Sequence, residues 1–375
     1  MKLEQFSLLE NTWREAISQI EISPNIILLF VSPSFVPKHV MVAELMKKFP
    51  GATIMGCSTA GEISDTLVSD KSVSLTAIQL EKTEHKLVKV DIKSMDESFM
   101  AGKKLAKQLN SNDLKHILVF SDGLNVNGAN LVSGLKSVLP STSITGGLAG
   151  DCANFNETFV ISNSSIADKI IVGLGFYGDQ LKIGYSSKGG WDSFGIDRLV
   201  TKSKNNVLFE LDGLPALELY KSFLGAKAKN LPSSGLLFPL SMRVNEHDSP
   251  VVRTILSVDE KEQSLTFAGN IPEGSHVRLM KANVDRLING AKDSAINAFS
   301  TTKKNAELAI LISCVGRRLV LKQLVEEEVE VVRETIGKKT KITGFYSYGE
   351  IAPFEEFSPC ELHNQTMTIT TLSEV

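Results

Sequence analysis

Two stretches at opposite ends of the chain carry the same skeleton. Gly56-Cys57-Ser58-Thr59-Ala60-Gly61-Glu62-Ile63 and Gly344-Phe345-Tyr346-Ser347-Tyr348-Gly349-Glu350-Ile351 both read GxxxxGEI. A looser copy, Gly146-Gly147-Leu148-Ala149-Gly150-Asp151, reaches its acid one residue sooner. Glycines such as Gly61 and Gly147 let backbone N–H groups approach an anionic or carbonyl group closely, although they also permit tight turns. Glu62 and Glu350 suit a ligand amine or the orientation of the partner loop, with a cap on a neighbouring backbone turn as the plainer role, and Asp151 joins the ligand-binding candidates from the looser copy. Ser58 and Thr59 lie within the first loop. Tyr346 and Tyr348 offer flat faces with polar tips, suited to a small-molecule pocket or simply to the two sides of a strand end. Arg317 and Arg318 each offer a guanidinium fork that fits a ligand's carboxylate, with solvation as the plainer role for one of the two. Cys57, Cys152 and Cys314 lie in or beside these loops and could bind metal or sense redox state if the loops converge. Cysteine is also commonly a small buried hydrophobe.

These loops need strands to present them. Asn25 to Val31, His116 to Phe120 and Leu308 to Ile312 are short continuous runs of mostly apolar residues, the pattern of strands buried on both faces. Each ends in a serine loop: Ser32-Pro33-Ser34, Ser121-Asp122-Gly123, and Ser313-Cys314-Val315-Gly316-Arg317-Arg318. A helical apolar stripe follows each, then a second strand that opens into a glycine loop. Ser32 to Gly56, Ser121 to Gly146 and Ser313 to Gly344 are 24, 25 and 31 residues apart. The repeat predicts parallel βαβ crossovers of right-handed sense. In open α/β sheets ligands collect at the carboxyl ends of strands, which all six loops should rim.

Elsewhere, residues 7–21 predict an amphipathic helix, and 73–79 and 86–92 predict antiparallel strands. Residues 158–185 hold three more strand-like pieces, 211–223 and 283–299 read as helices, and 251–256, 264–268 and 276–280 as strands. The expected fold class is α/β, with mixed α+β sheets. Two domains are expected, 1–211 and 212–375, each with βαβ units and additional antiparallel strands.

With 375 residues, 42% hydrophobic and 22% charged, the composition is that of a globular protein. A net charge of −3 without a Lys/Arg tract lacks the footprint of a nucleic-acid binder. No signal-peptide core and no apolar run of about 18 residues is present, so a cytoplasmic chain without direct membrane insertion is expected. The four cysteines have no CxxC pairing.

Together GCSTAGEI, GGLAGD, GLPALELY, SCVGRRLVLKQLVEEE, GFYSYGEIAP and HNQTMTIT, in this order, resemble the FIST domain, a sensory module with N-terminal and C-terminal parts. The resemblance spans nearly the whole chain, and Asn364 enters the candidate set through HNQTMTIT. It implies a non-catalytic bacterial sensor that binds a small ligand and modulates a signalling partner, such as a histidine kinase of a two-component system. Chains of this length resemble the stand-alone branch called nitric oxide sensing protein, which implies haem as cofactor. The alternative is a sensor of an amino acid or other small polar metabolite without haem. A thiol-dependent enzyme using Cys57 or Cys314 would need a base within reach, and no histidine is close to either in sequence. A haem iron needs an axial His, Cys, Met or Tyr. None of His39, His85, His116, His247, His276 and His363 is singled out by sequence.

Overall fold

The computed structural model describes residues 1–245, 250–302, 305–354 and 358–375. The three repeats fold as parallel pairs: Ile26–Val31 with Thr53–Ser58, Leu114–Ser121 with Ser143–Leu148, and Leu308–Cys314 with Lys341–Ser347. Their registers are equivalent, since Gly56 lies opposite Leu29, Gly146 opposite Val119 and Gly344 opposite Leu311. A Cβ at these glycines would lie 1.8, 1.8 and 1.9 Å from the partner strand's carbonyl oxygen, so a side chain is excluded at all three. The longer third interval has a physical cause. Its helical segment breaks into Val315–Leu321 and Glu327–Ile336, with Lys322 at φ 52 between them.

Each pair is the centre of a six-stranded sheet, and all three sheets have one order: an edge strand, an antiparallel strand, the parallel pair, then a borrowed hairpin. Sheet one runs Lys2–Leu8, Val73–Gln79, Ile26–Val31, Thr53–Ser58, then Val160–Ser162 with Ser165–Ala167. Sheet two runs Glu84–Asp91, Ile170–Tyr177, Leu114–Ser121, Ser143–Leu148, then Gly349–Pro353 with Cys360–His363. Sheet three runs Leu181–Lys188, Met367–Glu374, Leu308–Cys314, Lys341–Ser347, then Glu62–Ser64 with Leu67–Ser69. The exchange is cyclic. The chain leaving glycine loop one joins sheet three, loop two feeds sheet one, and loop three feeds sheet two.

The inner faces meet along one axis, where Phe30, Phe120 and Phe345 pack with ring centroids 4.7 to 5.7 Å apart. Two helices cover each outer face: Trp13–Ser18 with Lys38–Lys48, Ser98–Leu109 with Gly128–Lys136, and Val284–Thr301 with Glu327–Ile336. Helical spacing over residues 7–21 is realised only at Trp13–Ser18; Lys2–Leu8 is instead an edge strand, held by its full register with Val73–Gln79. Cross-strand pairing there overrides the local period.

Residues 191–282 build a separate eight-stranded antiparallel sheet, covered by helix Ala216–Leu224 around Leu208, Leu217, Tyr220, Leu265 and Phe267. Position 212 lies inside this sheet, in the turn between Val207–Leu211 and Leu214–Pro215. Strands from both sides of that position also share sheets two and three. The chain crosses between the three-sheet body and the antiparallel sheet at two adjacent points, because Trp191 pairs with Ala282.

Candidate functional site

The three glycine loops meet directly. Ala60 N–H donates to Tyr346 O (2.7 Å), Tyr346 N–H to Gly61 O (2.8 Å), Gly150 N–H to Ser58 O (3.0 Å) and Cys152 N–H to Thr59 O (3.3 Å). Instead of rimming an open hollow, they lock together where the chain passes from sheet to sheet. Cys57 and Gly147 face the inner core, and a Cβ on Gly147 would press 2.8 Å from Ile312 Cγ2.

Glu62 and Glu350 have matching partners. Glu62 accepts from Thr59 Oγ1 and from Ser72 N and Oγ (3.2 and 2.7 Å). Glu350 accepts from Ser347 Oγ (2.7 Å) and from Thr366 N and Oγ1 (3.1 and 2.9 Å). Each carboxyl pins the residue just before an antiparallel strand of a neighbouring sheet, Val73–Gln79 of sheet one for Glu62 and Met367–Glu374 of sheet three for Glu350. Burial pushes both up to about 7, against the pull of those hydroxyl and amide donors. In the second repeat Asp122 takes the corresponding task and accepts from Lys169 N–H (2.6 Å), Thr158 Oγ1 (2.8 Å) and the N–H groups of Leu124 and Asn125. The turn-capping role is therefore filled at both echoed glutamates.

The arginines also have protein partners. Arg317 is fully buried and its Nε and Nη2 grip Glu328 Oε2 (3.0 and 2.7 Å), while Nη1 and Nη2 donate to Gly189 O (2.9 Å) and Leu287 O (2.7 Å). Glu328 Oε1 further accepts from Ser313 Oγ (3.0 Å) and Tyr346 Oη (2.5 Å). Arg318 pairs with Asp70 (2.7 Å), donates to Ala60 O and lies 5.7 Å from the Tyr346 ring centroid. Burial raises the thiols of Cys57 and Cys314, and pushes Cys152 up to about 11, so each is held protonated at neutral pH. Among the described residues no group of three or more His, Cys, Asp or Glu is arranged for a metal.

Asp151 organises the one loop of this set that reaches open space. Its carboxylate accepts from the N–H groups of Phe155, Asn156 and Glu157 (2.7 to 2.9 Å) and from the Tyr348 hydroxyl. Cys152, Ala153 and Phe155 all have positive φ (58, 65 and 53), a concentration of backbone strain that the carboxylate stabilises. Phe155 stacks on Tyr348 at 4.6 Å between centroids. These rings, with Leu148 and Asn127, wall a cavity of ≈ 60 Å³ whose other side is Asn206, Leu256, Phe267 and Ala268 of the antiparallel sheet. The cavity thus sits on the seam between the two units.

Amides and one guanidinium hold that seam. Asn270 Oδ1 accepts from Asn127 Nδ2 and its Nδ2 donates to Asn130 Oδ1, both at 2.8 Å. Asn364 Oδ1 accepts from Thr254 N–H (3.4 Å), Gln365 Nε2 donates to Leu236 O (3.1 Å) and Arg253 Nη1 to Leu362 O (3.0 Å). Of these seam residues, sequence reasoning reached Tyr348, Asp151 and Asn364. It missed Phe155, Asn127, Asn206, Asn270 and Arg253, for which the only local signal is Asn127 as a helix N-cap.

Among the histidines, His39 and His276 are exposed and His85 half-buried. Both ring nitrogens of His116 engage hydroxyls, of Ser143 (2.8 Å) and Thr145 (2.9 Å), and buried His363 donates from Nε2 to Ala352 O (2.8 Å). His247 lies outside the described residues. Among the described residues no helix is long and apolar enough to cross a membrane.

An uncharacterized protein of Methanocaldococcus jannaschii is 24% identical over 344 residues, covering 82% of this chain and 65% of that protein. Among solved structures, a chorismatase matches with a TM-score of 0.38 at 9% identity, over 99% of this chain and 98% of that one. A cyanuric acid hydrolase from A. caulinodans matches with a TM-score of 0.36 at 7% identity, over 99% and 98%. The FIST N domain model matches residues 25–214 and the FIST C domain model residues 216–353. With both models covering most of its length in that order, the chain belongs to the FIST family.

Proposed function

We propose that the protein is a non-catalytic sensor in which a small ligand enters the seam between the three-sheet body and the antiparallel sheet and shifts their relative position. FIST domains are generally sensory, ligand-binding domains of signalling systems. The carrying observation is the seam cavity between Tyr348–Phe155 and Asn206–Phe267. At ≈ 60 Å³ it holds about two waters, far below the roughly 300 Å³ of a ligand pocket. Occupation by a metabolite therefore requires the two units to part. The paired crossings at Trp191 and Ala282 supply a hinge for that movement, with Gly190 at φ 136 beside them. A ligand that prefers the parted state then biases a signalling partner, for which a histidine kinase is our candidate.

A haem-based nitric oxide sensor needs an axial donor beside an apolar slot. His116 is saturated by hydroxyls and His363 is enclosed, while His39 borders a recess of ≈ 330 Å³ lined by Lys38, Asn125, Glu157 and Asp168. The surroundings of these three histidines do not fit a haem, and we favour an amino acid or other small polar metabolite as the ligand. The protonated thiols accord with a non-catalytic role.

The test is a thermal-shift panel of metabolites on the full chain. Saturation at 100 times Kd adds about 2.7 kcal/mol of stability. Binding should be lost in Asn206→Leu with the fold retained by circular dichroism. A Soret band that survives gel filtration, or a panel hit indifferent to Asn206→Leu, would overturn the reading.

A further inference from the structure

The antiparallel unit holds a second cavity, of ≈ 210 Å³, which shares no lining residue with the seam. Its origin is a bulge. Strand Trp191–Lys204 pairs Phe194 with Leu279 and next pairs Arg198 with Val277, so four steps on one strand meet two on its partner. Gly195, at φ 79, turns the extra residues outward and leaves Ile196 66% exposed. The partner strands below lose their cover. Leu240, Val277 and Leu279 become the floor, and Tyr220 and Phe223 of helix Ala216–Leu224 form a wall. The Tyr220 hydroxyl is turned to Phe238 O (2.7 Å), so its ring presents carbon to the cavity.

One polar group lines this space. Arg198 donates from Nη1 to Asp212 Oδ2 (3.0 Å) and its Cζ lies 5.6 Å from the Phe223 ring centroid. Its Nε is buried without a hydrogen-bond partner. A buried, unpaired N–H is unfavourable until an acceptor reaches it. The volume exceeds the about 150 Å³ that accommodates a benzene-sized molecule. We propose that the bulge cavity binds a ring-bearing small molecule carrying one oxygen acceptor, the ring over Val277 and Leu279 and the oxygen on Arg198 Nε. Asp212 already balances the guanidinium charge, so a neutral carbonyl and a carboxylate both satisfy this chemistry, and the experiment separates them. The inference stands apart from the seam reading.

The experiment measures binding to the full chain by ligand-observed NMR, using 4-phenylbutan-2-one, 3-phenylpropionate and butylbenzene. At least one of the two oxygen-bearing probes should bind saturably and more tightly than butylbenzene, and whichever binds tighter identifies the acceptor. Arg198→Leu should weaken that probe about tenfold and leave butylbenzene within about twofold. Val277→Phe, which fills the floor, should abolish binding of all three. Where Val277→Phe does not fold, Phe223→Ala replaces it and should weaken all three by removing the wall. Asn206→Leu at the seam should change nothing, so failure here is distinct from failure of the seam. Absence of saturable binding by every probe, or equal weakening of all three by Arg198→Leu, overturns the proposal.

Discussion

Replacing Arg317 by methionine tests whether the hinge is held by a buried charge pair. The guanidinium is 0% exposed, grips Glu328 twice, and donates to Gly189 O and Leu287 O on the two crossing segments. Methionine roughly keeps the volume, removes those donors and leaves Glu328 as a buried carboxylate supported only by Ser313 and Tyr346. Removing one partner of a buried pair destabilises by about 3–5 kcal/mol. That is a large share of the roughly 5–15 kcal/mol typical of native proteins. Urea unfolding followed by Trp191 fluorescence in a Trp13→Phe background reads the event locally, because Trp191 packs with Leu287 and Leu321. Adding Glu328→Leu to Arg317→Met should recover most of the loss, since no stranded charge remains. A single-variant loss below about 1 kcal/mol would refute the account. A double variant as unstable as the single would assign the loss to the hinge carbonyls instead.

Three further outcomes follow from the same geometry. Glu62 and Glu350 titrate near 7 when folded, against 4.5 as the ordinary value, so between those pH values the folded state keeps protons that the unfolded chain has released. Stability should fall as pH rises from 4.5 to 7, by up to about 3 kcal/mol per group, and Glu62→Gln with Glu350→Gln should flatten that slope in a pH series of urea midpoints. Gly56→Ala, Gly146→Ala and Gly344→Ala should each cost about 3 kcal/mol or more in the same assay, because the methyl meets a carbonyl oxygen at under 2 Å. Asn270→Ala removes the two amide bonds that join Asn270 to Asn127 and Asn130 across the seam, and hydrogen exchange should speed up at the seam surfaces while the Phe30–Phe120–Phe345 core stays protected.

The parallel pairs were legible because each is a local unit: an apolar run, a stripe and a glycine that faces a carbonyl. The echoed GxxxxGE pattern was legible too, but its meaning was not. Spacing alone cannot distinguish a ligand cradle from a crossover, and the difference lies in Ser72 and Thr366, which are distant in chain from the glycines they serve. Arg317 and Arg318 show the same limit. The fork was read as suited to a ligand's carboxylate, while the carboxylates it meets, Glu328 and Asp70, belong to the protein itself. The strand Lys2–Leu8 was hidden for another reason, since its pairing with Val73–Gln79 outweighed the local apolar period. The seam was beyond reach because Asn127, Asn206 and Asn270 are ordinary loop and cap residues until the chain brings them face to face.

The cyclic exchange of hairpins sets a schedule for biosynthesis. Strands Glu62–Ser64 and Leu67–Ser69 are made early, yet the sheet they join is built on Lys341–Ser347. A nascent chain that has passed residue 215 holds Phe30 and Phe120 but not Phe345, and its early hairpin has no ladder to enter. Such delayed, long-range closure slows folding and leaves open strand edges in the meantime. Truncation after the first family module should accordingly give an aggregating fragment rather than a small sensor, because sheet one can close by residue 167 whereas sheets two and three wait for strands beyond residue 340.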